Sequence, residues 1–538
     1  MKYLWQTLTM VHRCDPASFW RRLLYVLLQS LLPLVNLYIL KLLVDSVTMA
    51  VQEAAVATCV PYLIAFAAVF FLNRTIAALN SVNSDVLSQR LIDYISDLMQ
   101  RQASVLDMAY YDTPAYHDTL HRAQQEASIR PVQVLDNFMA FIGASVSIVG
   151  VVALMLTASS WMVAVMLVAV IPSFVIRLYK ARSIYSFRRE NTQRYRRTAY
   201  YAHLLTSRET AKEMRVFGLS SLFRQRFVDT RQGLVDRLLA ISRRMGVADI
   251  VCSLVETVAL VAVVWLLLRQ ALAAAITIGS FVMLFEAFRR GQGYLSSLVA
   301  AVAGLYDNRL FVGNLFEFLR LKPTIVDPDE PAEMPAEISE VEFRGVTFRY
   351  PDMEHDVLKD FSLTARKGQI TRIDGHNGYG KSTLVKLLLR LYDPQAGEVL
   401  VDGVDIRRFP LRQLRGRMGV LFQDFVRFYC SVGENVAFGG STGDVDIRRA
   451  LELSGADAVV DGLPQGVDTQ LGRLFDGGSE LSMGQWQRVA LARALVSDAP
   501  ILILDEPSAW LDHEARQHLD ETLQKIKDNK IIIIISHA

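Results

Sequence analysis

Six apolar stretches in the N-terminal half decide which solvent this chain folds in. They run roughly over 23–44, 54–72, 138–157, 160–178, 248–268 and 274–298. Each is near the ~20 residues that a helix needs to cross a bilayer. Hydrocarbon offers no partner for backbone polar groups, so a helix that bonds internally is the form such runs take. The expectation is a six-helix α-helical membrane domain. The first run carries Lys41, is too long for a signal peptide and is followed by no small-residue cleavage site. At 52% hydrophobic residues and a mean hydropathy of +0.25, the 538-residue chain is too apolar to be purely soluble and too polar to be purely intramembrane.

Charge orients the spans. The segment 177–246, after span four, holds seventeen Lys and Arg residues, whereas 45–53 and 158–159 hold none. Positive residues stay on the cytoplasmic side, so both termini and both long inter-span segments belong on the cytoplasmic side of a cell membrane. "LSQRLIDYISDLMQRQASVL" and "LFRQRFVDTRQGLVDRLLAISRRM" repeat apolar residues at helical spacing, so the membrane helices extend into the cytoplasm. The basic run also suits contact with anionic lipid heads. Net charge is only +2, which implies no acidic or basic partner for the whole chain. The four cysteines are scattered, with no metal-ligand spacing.

Four prolines among acids in "LKPTIVDPDEPAEMPAEISE" stop any helix. "VEFRGVTFRY" then alternates like a half-buried strand. The expected division is a membrane domain over 1–320, a linker over 321–340 and a second domain over 341–538.

The second domain carries "IDGHNGYGKSTL", which fits G-x-x-x-x-G-K-[ST] from Gly375 through Asn377, Gly378 and Gly380 to Lys381, Ser382 and Thr383. Glycines let successive N–H groups face phosphate oxygens. Lys381 would reach the β- and γ-phosphates, and the Ser382 hydroxyl would reach Mg²⁺. "GQITRI" before the loop reads as a strand. "STLVKLLLRLY" after it reads as a helix whose positive end faces the anion.

"VTFRYP" with Tyr350 precedes this loop, and "LFQD" with Gln423, "LSMGQWQRVALARAL", "ILILDEPSAWLD" and "IIIIISHA" follow it in order. Together they resemble the nucleotide-binding domain of ATP-binding cassette transporters, an α/β P-loop ATPase. The whole chain resembles an exporter-type half-transporter, with "QDF" and "LSMGQWQ" similar to bacterial peptide or lantibiotic-type exporters. The resemblance implies ATP and Mg²⁺ as cofactors, Tyr350 stacked on adenine, and Asp505, Ser382 and Gln423 around the metal. It implies Glu506 as the residue that orients or deprotonates water, with Gln423 and His537 near the γ-phosphate. Ser482, Gly484 and Gln485 would face ATP on a second half-transporter, in a homodimer or a heterodimer. The segments 108–118 and 205–218 would be the turns that dock on the ATPase domains. The implied activity is ATP-driven export of a peptide, lipid or amphipathic small molecule across a membrane. Six spans exclude a soluble ATPase acting on nucleic acid.

Tyr379, Asp374 and Met483 depart from the family pattern. They leave open a membrane-bound subunit that binds nucleotide without useful turnover. Domains of this family continue beyond the histidine that His537 matches, so the C-terminal end reads as truncated. Finally, Glu256 and Glu286 lie within spans five and six. A carboxylate there is costly unless it faces a partner or a cavity. One reading pairs Glu286 with Arg289 or Arg290. The other has both acids line a cavity that favours a cationic peptide.

Overall fold

A computed structural model describes residues 2–53, 56–113, 130–157, 160–351, 353–375 and 380–536. The chain divides into two contact units, one of residues 1–104 and 119–320 and the other of 105–118 and 321–538.

In the first unit a short helix, α1 (Lys2–Cys14), precedes α2 (Pro16–Glu53) and α3 (Val60–Val105). The single turn α4 (Met108–Tyr111) belongs to the second unit. The first unit continues with α5 (Arg130–Leu156), α6 (Ser160–Glu190), α7 (Thr192–Thr206), α8 (Ala211–Val216), α9 (Ser220–Leu272) and α10 (Ile278–Phe318). The six apolar stretches thus fall on six long helices. Those over Pro16–Ala50, Val56–Val105, Arg130–Leu156 and Ser220–Leu272 are long and apolar enough to cross a membrane. The apolar run of α6, Trp161–Ile176, is shorter, and α10 carries Glu286, Arg289 and Arg290 in its first half.

Leu37, Val151, Met155, Met166, Val263, Leu284 and Phe288 meet in one core drawn from α2, α5, α6, α9 and α10. Gly291 lets α10 approach α6, since a Cβ there would sit 2.5 Å from Met166 Sδ. The N-terminus of α10 is tied to α2 by Asp45, which accepts from the Gly279 N–H at 2.9 Å and the Thr277 hydroxyl at 3.0 Å.

The second unit holds two sheets. Strands β1 (Glu340–Phe348), β2 (Leu358–Arg366), β4 (Ala396–Val401) and β5 (Val404–Asp405) form an antiparallel sheet in the order β2-β1-β4-β5. Strands β3 (Ile370–Asp374), β6 (Met418–Leu421), β7 (Ile501–Asp505) and β8 (Ile531–Ser536) form a parallel sheet in the order β3-β8-β7-β6. Helix α11 (Lys381–Leu388) follows β3 and ends earlier than the apolar run suggests, because Arg390 takes φ +48°. Next come α12 (Leu411–Gly416), α13 (Val432–Ala437), α14 (Asp444–Ser454) and α15 (Asp457–Asp461). Helices α16 (Met483–Leu495) and α17 (His513–Ile526) flank β7 in sequence, and β8 follows them.

Strands β7 and β8 are apolar at nearly every position because both faces are covered. Leu502, Leu504, Ile532 and Ile534 enter one core, and Ile501, Ile503, Ile531 and Ile533 enter the other. Stretch 321–339 has no regular structure, yet it packs onto this unit. Met334 and Ile338 are in its core, and Asp327 accepts from the Leu411 N–H.

Candidate active site

Strand β3 delivers the chain to Gly375. Residues 376–379, which include Asn377, Gly378 and Tyr379, lie outside the described residues. At Gly380 the backbone takes φ +78°, and a Cβ would sit 2.8 Å from the Leu358 side chain. Glycine satisfies both constraints. Lys381 is buried, and its Nζ donates to the carbonyls of Gly375 (2.6 Å) and Ser536 (2.8 Å). One ammonium thereby joins the ends of β3 and β8 at the start of α11. The unusual Asp374 also has a partner there, since its carboxylate accepts from the Ser536 hydroxyl.

A cleft of about 550 Å³ brings together Tyr350, Gly380, Lys381, Ser382, Thr383, Gln423, Asp505 and Glu506. Asp505 ends the fully buried strand β7. Burial pushes its carboxyl above the usual carboxylate range, and the charges of Glu506 and Asp424 add to this. A hydrogen bond from Ser382 and the charge of Lys381 oppose it. Its Oδ1 is buried with no hydrogen-bond partner. An orphaned carboxylate oxygen is costly. Here it fits a divalent cation and its water shell, with Ser382 and Gln423 on the same cleft. Bound Mg²⁺ would neutralise phosphate charge.

Glu506 takes φ +50°. For a side-chain-bearing residue this costs about 1–3 kcal/mol and calls for over-determination. Its N–H donates to Ile535 O (2.9 Å). Gln487 Nε2 donates to its carbonyl (3.1 Å), while Gln487 Oε1 accepts from the Trp510 N–H (3.0 Å). Gln487 lies inside "LSMGQWQ", but only the fold shows that it braces the turn carrying Glu506.

At the other end of the cleft, Tyr350 is held by its neighbours. Its hydroxyl pairs with Thr383 Oγ1 (3.0 Å), and its ring meets Phe348 and Tyr392 edge-on. Lys386 Nζ lies over that ring at 5.1 Å and pairs with Asp112 at 3.4 Å. The Tyr392 hydroxyl donates to the same Asp112. Burial and that hydrogen bond both push the phenol up. Asp112, Lys386 and Tyr392 carried no sequence signal as a group, because Asp112 stands far along the chain from the stretch that holds the other two.

Ser482 caps α16. Its hydroxyl accepts from the Gln485 N–H (3.3 Å), and its own N–H donates to Gln485 Oε1 (2.9 Å). At Gly484 a Cβ would lie 2.6 Å from Trp510 O. Ser482 and Met483 are exposed, and Ser482, Gly484 and Gln485 do not line the cleft described above. Arg493, on the same helix, donates to Asn435 O (2.9 Å), Asn435 Oδ1 (2.7 Å) and Val426 O (3.2 Å). It joins α16, which carries the family's signature stretch "LSMGQ", to the stretch that follows Gln423. Burial pushes this guanidinium down to about 10, so it remains charged at neutral pH. His537 lies outside the described residues.

Two family models cover most of the chain. The ABC transporter transmembrane region matches residues 23–291, and the ABC transporter domain matches residues 358–509. The chain belongs to the ABC transporters. Among the relatives of this ABC transporter is the subtilin transport ATP-binding protein SpaT of Bacillus subtilis, 24% identical over all of this chain and 88% of its own length. The nisin transport ATP-binding protein NisT of Lactococcus lactis is 27% identical over 95% of this chain and 85% of its own length. An ATP-dependent lipid A-core flippase of Xanthomonas oryzae is 30% identical over 75% of this chain and 68% of its own length. The structure of a bacterial Atm1-family ABC exporter with ATP bound superposes with a TM-score of 0.79 at 21% identity, over 97% of this chain and 92% of that one. The fold is therefore an exporter-type membrane domain followed by an ABC ATPase domain, and the protein is a membrane transporter driven by ATP hydrolysis.

Proposed function

We propose that two half-transporters, identical or different, sandwich each ATP between the phosphate loop of one chain and Ser482, Gly484 and Gln485 of the other. The observation that carries this reading is the placement of the signature. It opens α16 on an exposed surface, outside the lining of its own chain's cleft, where a helix N-terminus suits an anion held elsewhere. In this reading Asp505, Ser382 and Gln423 hold the metal, and Lys381 balances phosphate charge. Glu506, with His537, orients the attacking water. Phosphoryl transfer needs this positioning and charge stabilisation and no covalent nucleophile. ATP then favours the closed pair and hydrolysis releases it, a population shift that drives the membrane domains.

The cargo we propose is an amphipathic molecule, peptide or lipid. The relatives named for subtilin, nisin and lipid A transport span that range. A cationic peptide drawn by both acids is disfavoured at Glu286, whose charge is met by Arg289 (2.9 Å) and Arg290 (3.4 Å), whereas Glu256 accepts from the neutral Ser173 hydroxyl (2.5 Å), which leaves its charge uncompensated among the described residues. The test is ATP hydrolysis by the purified protein and ATP-dependent cargo movement in proteoliposomes. Nucleotide binding without turnover would replace the exporter by a regulatory or inactive subunit.

A further inference from the structure

A cavity of about 580 Å³ opens among α2, α3 and α10 in the membrane unit. Its walls are mostly apolar and aromatic, including Pro33, Leu37, Phe66, Phe70 and Phe285, with Phe70 well exposed. Glu286, Arg289 and Arg290 stand at one side. Arg290 lies twelve residues into α10, about 18 Å along its axis at 1.5 Å per residue. Glu286, Arg289 and Arg290 lie within the stretch that the transmembrane-region family model matches, 23–291. Ionisable groups inside a membrane domain are expensive and mark ligand pathways by default.

The charges do not cancel. Glu286 accepts from Arg289 at 2.9 and 3.2 Å and is also paired with Arg290 at 3.4 Å. One carboxylate against two guanidiniums leaves one positive charge. Arg289 is the most exposed of the three side chains, at 57%. Each guanidinium has five donors, and one carboxylate cannot engage ten. The Asn36 amide oxygen, also at this cavity, is buried with no partner, which supplies an acceptor for a hydroxylated head group.

We propose that this cavity binds a lipid-like amphipath, its anionic head on Arg289 and Arg290 and its apolar tail along Phe66, Phe70 and Phe285. The site deepens the export reading by giving the charge class of a ligand on the membrane unit. Glu286 then serves as an internal counter-ion that keeps both guanidiniums in place while the cavity is empty of ligand. Arginine suits this role because its planar fork matches carboxylate and phosphate oxygens.

The test uses the purified full chain in an uncharged detergent. Thermal unfolding is followed with added dioleoyl phosphatidylglycerol, dioleoyl phosphatidylcholine or a cationic dioleoyl trimethylammonium lipid. A ligand of the folded state raises the midpoint. Phosphatidylglycerol should stabilise most. Its apparent affinity should fall roughly tenfold or more in Arg289→Gln/Arg290→Gln, as expected for loss of charged hydrogen bonds. In Glu286→Gln it should hold or tighten. Equal stabilisation by all three lipids, or a preference for phosphatidylglycerol that survives in the double variant, overturns the site. Stabilisation by the cationic lipid that disappears in Glu286→Gln would establish the acidic reading instead. If the double variant does not fold, photo-crosslinking of wild-type protein with a diazirine-tailed phosphatidylglycerol decides. Label on the peptides spanning 66–73 or 282–290 supports the site, and label confined elsewhere refutes it. Neither measurement needs turnover. ATP hydrolysis measured on the same preparation therefore tests the export reading separately.

Discussion

In the proposed reading, Glu506 concentrates the chemistry of the cleft in one strained residue. The turn that holds it at φ +50° is fixed by Ile535 and Gln487, so replacing its carboxylate by an amide of the same size should leave the backbone in place. Glu506→Gln is expected to bind ATP and keep paired ATPase domains closed, while turnover falls by about 10²–10⁴, the usual worth of a general base. Nucleotide binding and steady-state hydrolysis measured together check this. Near wild-type turnover would remove Glu506 from that role. Arg493 makes a different point. Its fork reaches two acceptors on Asn435 and the carbonyl of Val426, a geometry that lysine cannot reproduce. Arg493→Lys should therefore cost roughly 2–3 kcal/mol despite keeping the charge, read as a lower unfolding midpoint. A melt that matches wild type would show that the charge alone suffices.

Segment 105–113 shows what an element can do that its residues cannot do singly. Asp107 accepts from the Thr324 N–H and hydroxyl, and Asp112 receives Tyr392 and Lys386. Through Lys386 and Tyr392 the segment reaches the Tyr350 ring at one end of the nucleotide cleft. Asp112→Asn removes the charge that holds Lys386, leaving the phosphate end untouched. Basal hydrolysis should stay within about a factor of two while cargo transport falls about tenfold, a coupling loss of ordinary size. Parallel loss of both activities would mean that the segment merely stabilises the domain. The resemblance led to the expectation that 108–118 docks on an ATPase domain, but the partners of Asp112 were not readable, since it shares no local pattern with Lys386 and Tyr392. The elements that were readable had local causes. Apolar length marked the membrane helices, and unbroken runs such as "ILIL" marked strands buried on both faces. Gly380 was readable from the loop pattern because the turn into α11 needs φ +78° there. The pairing of Glu286 was half legible, because i+3 and i+4 arginines are helix neighbours. Which of the two readings of Glu286 holds depended on the side chains around it.

At the scale of the whole molecule, the exposed signature makes two opposite defects complementary. Ser482→Arg places a long cation on the surface that would meet the partner's ATP, while its own cleft keeps Lys381, Asp505 and Glu506. Glu506→Gln silences its own cleft and leaves its signature intact. Each variant alone should be inactive if the chain pairs with itself. In a mixed pair one composite site carries both lesions and the other carries neither. Random pairing makes about half of the dimers mixed, so about one quarter of wild-type sites should be restored, since a two-fold pair exchanges the same surfaces in both directions. Hydrolysis by co-reconstituted variants, compared with each variant alone, measures this. Recovery would establish a homodimer with sites shared between chains. If Ser482→Arg instead abolishes ATP binding by its own chain and mixing restores nothing, the signature acts within one chain. If Ser482→Arg keeps its own ATP binding and mixing still restores nothing, the partner is a different half-transporter.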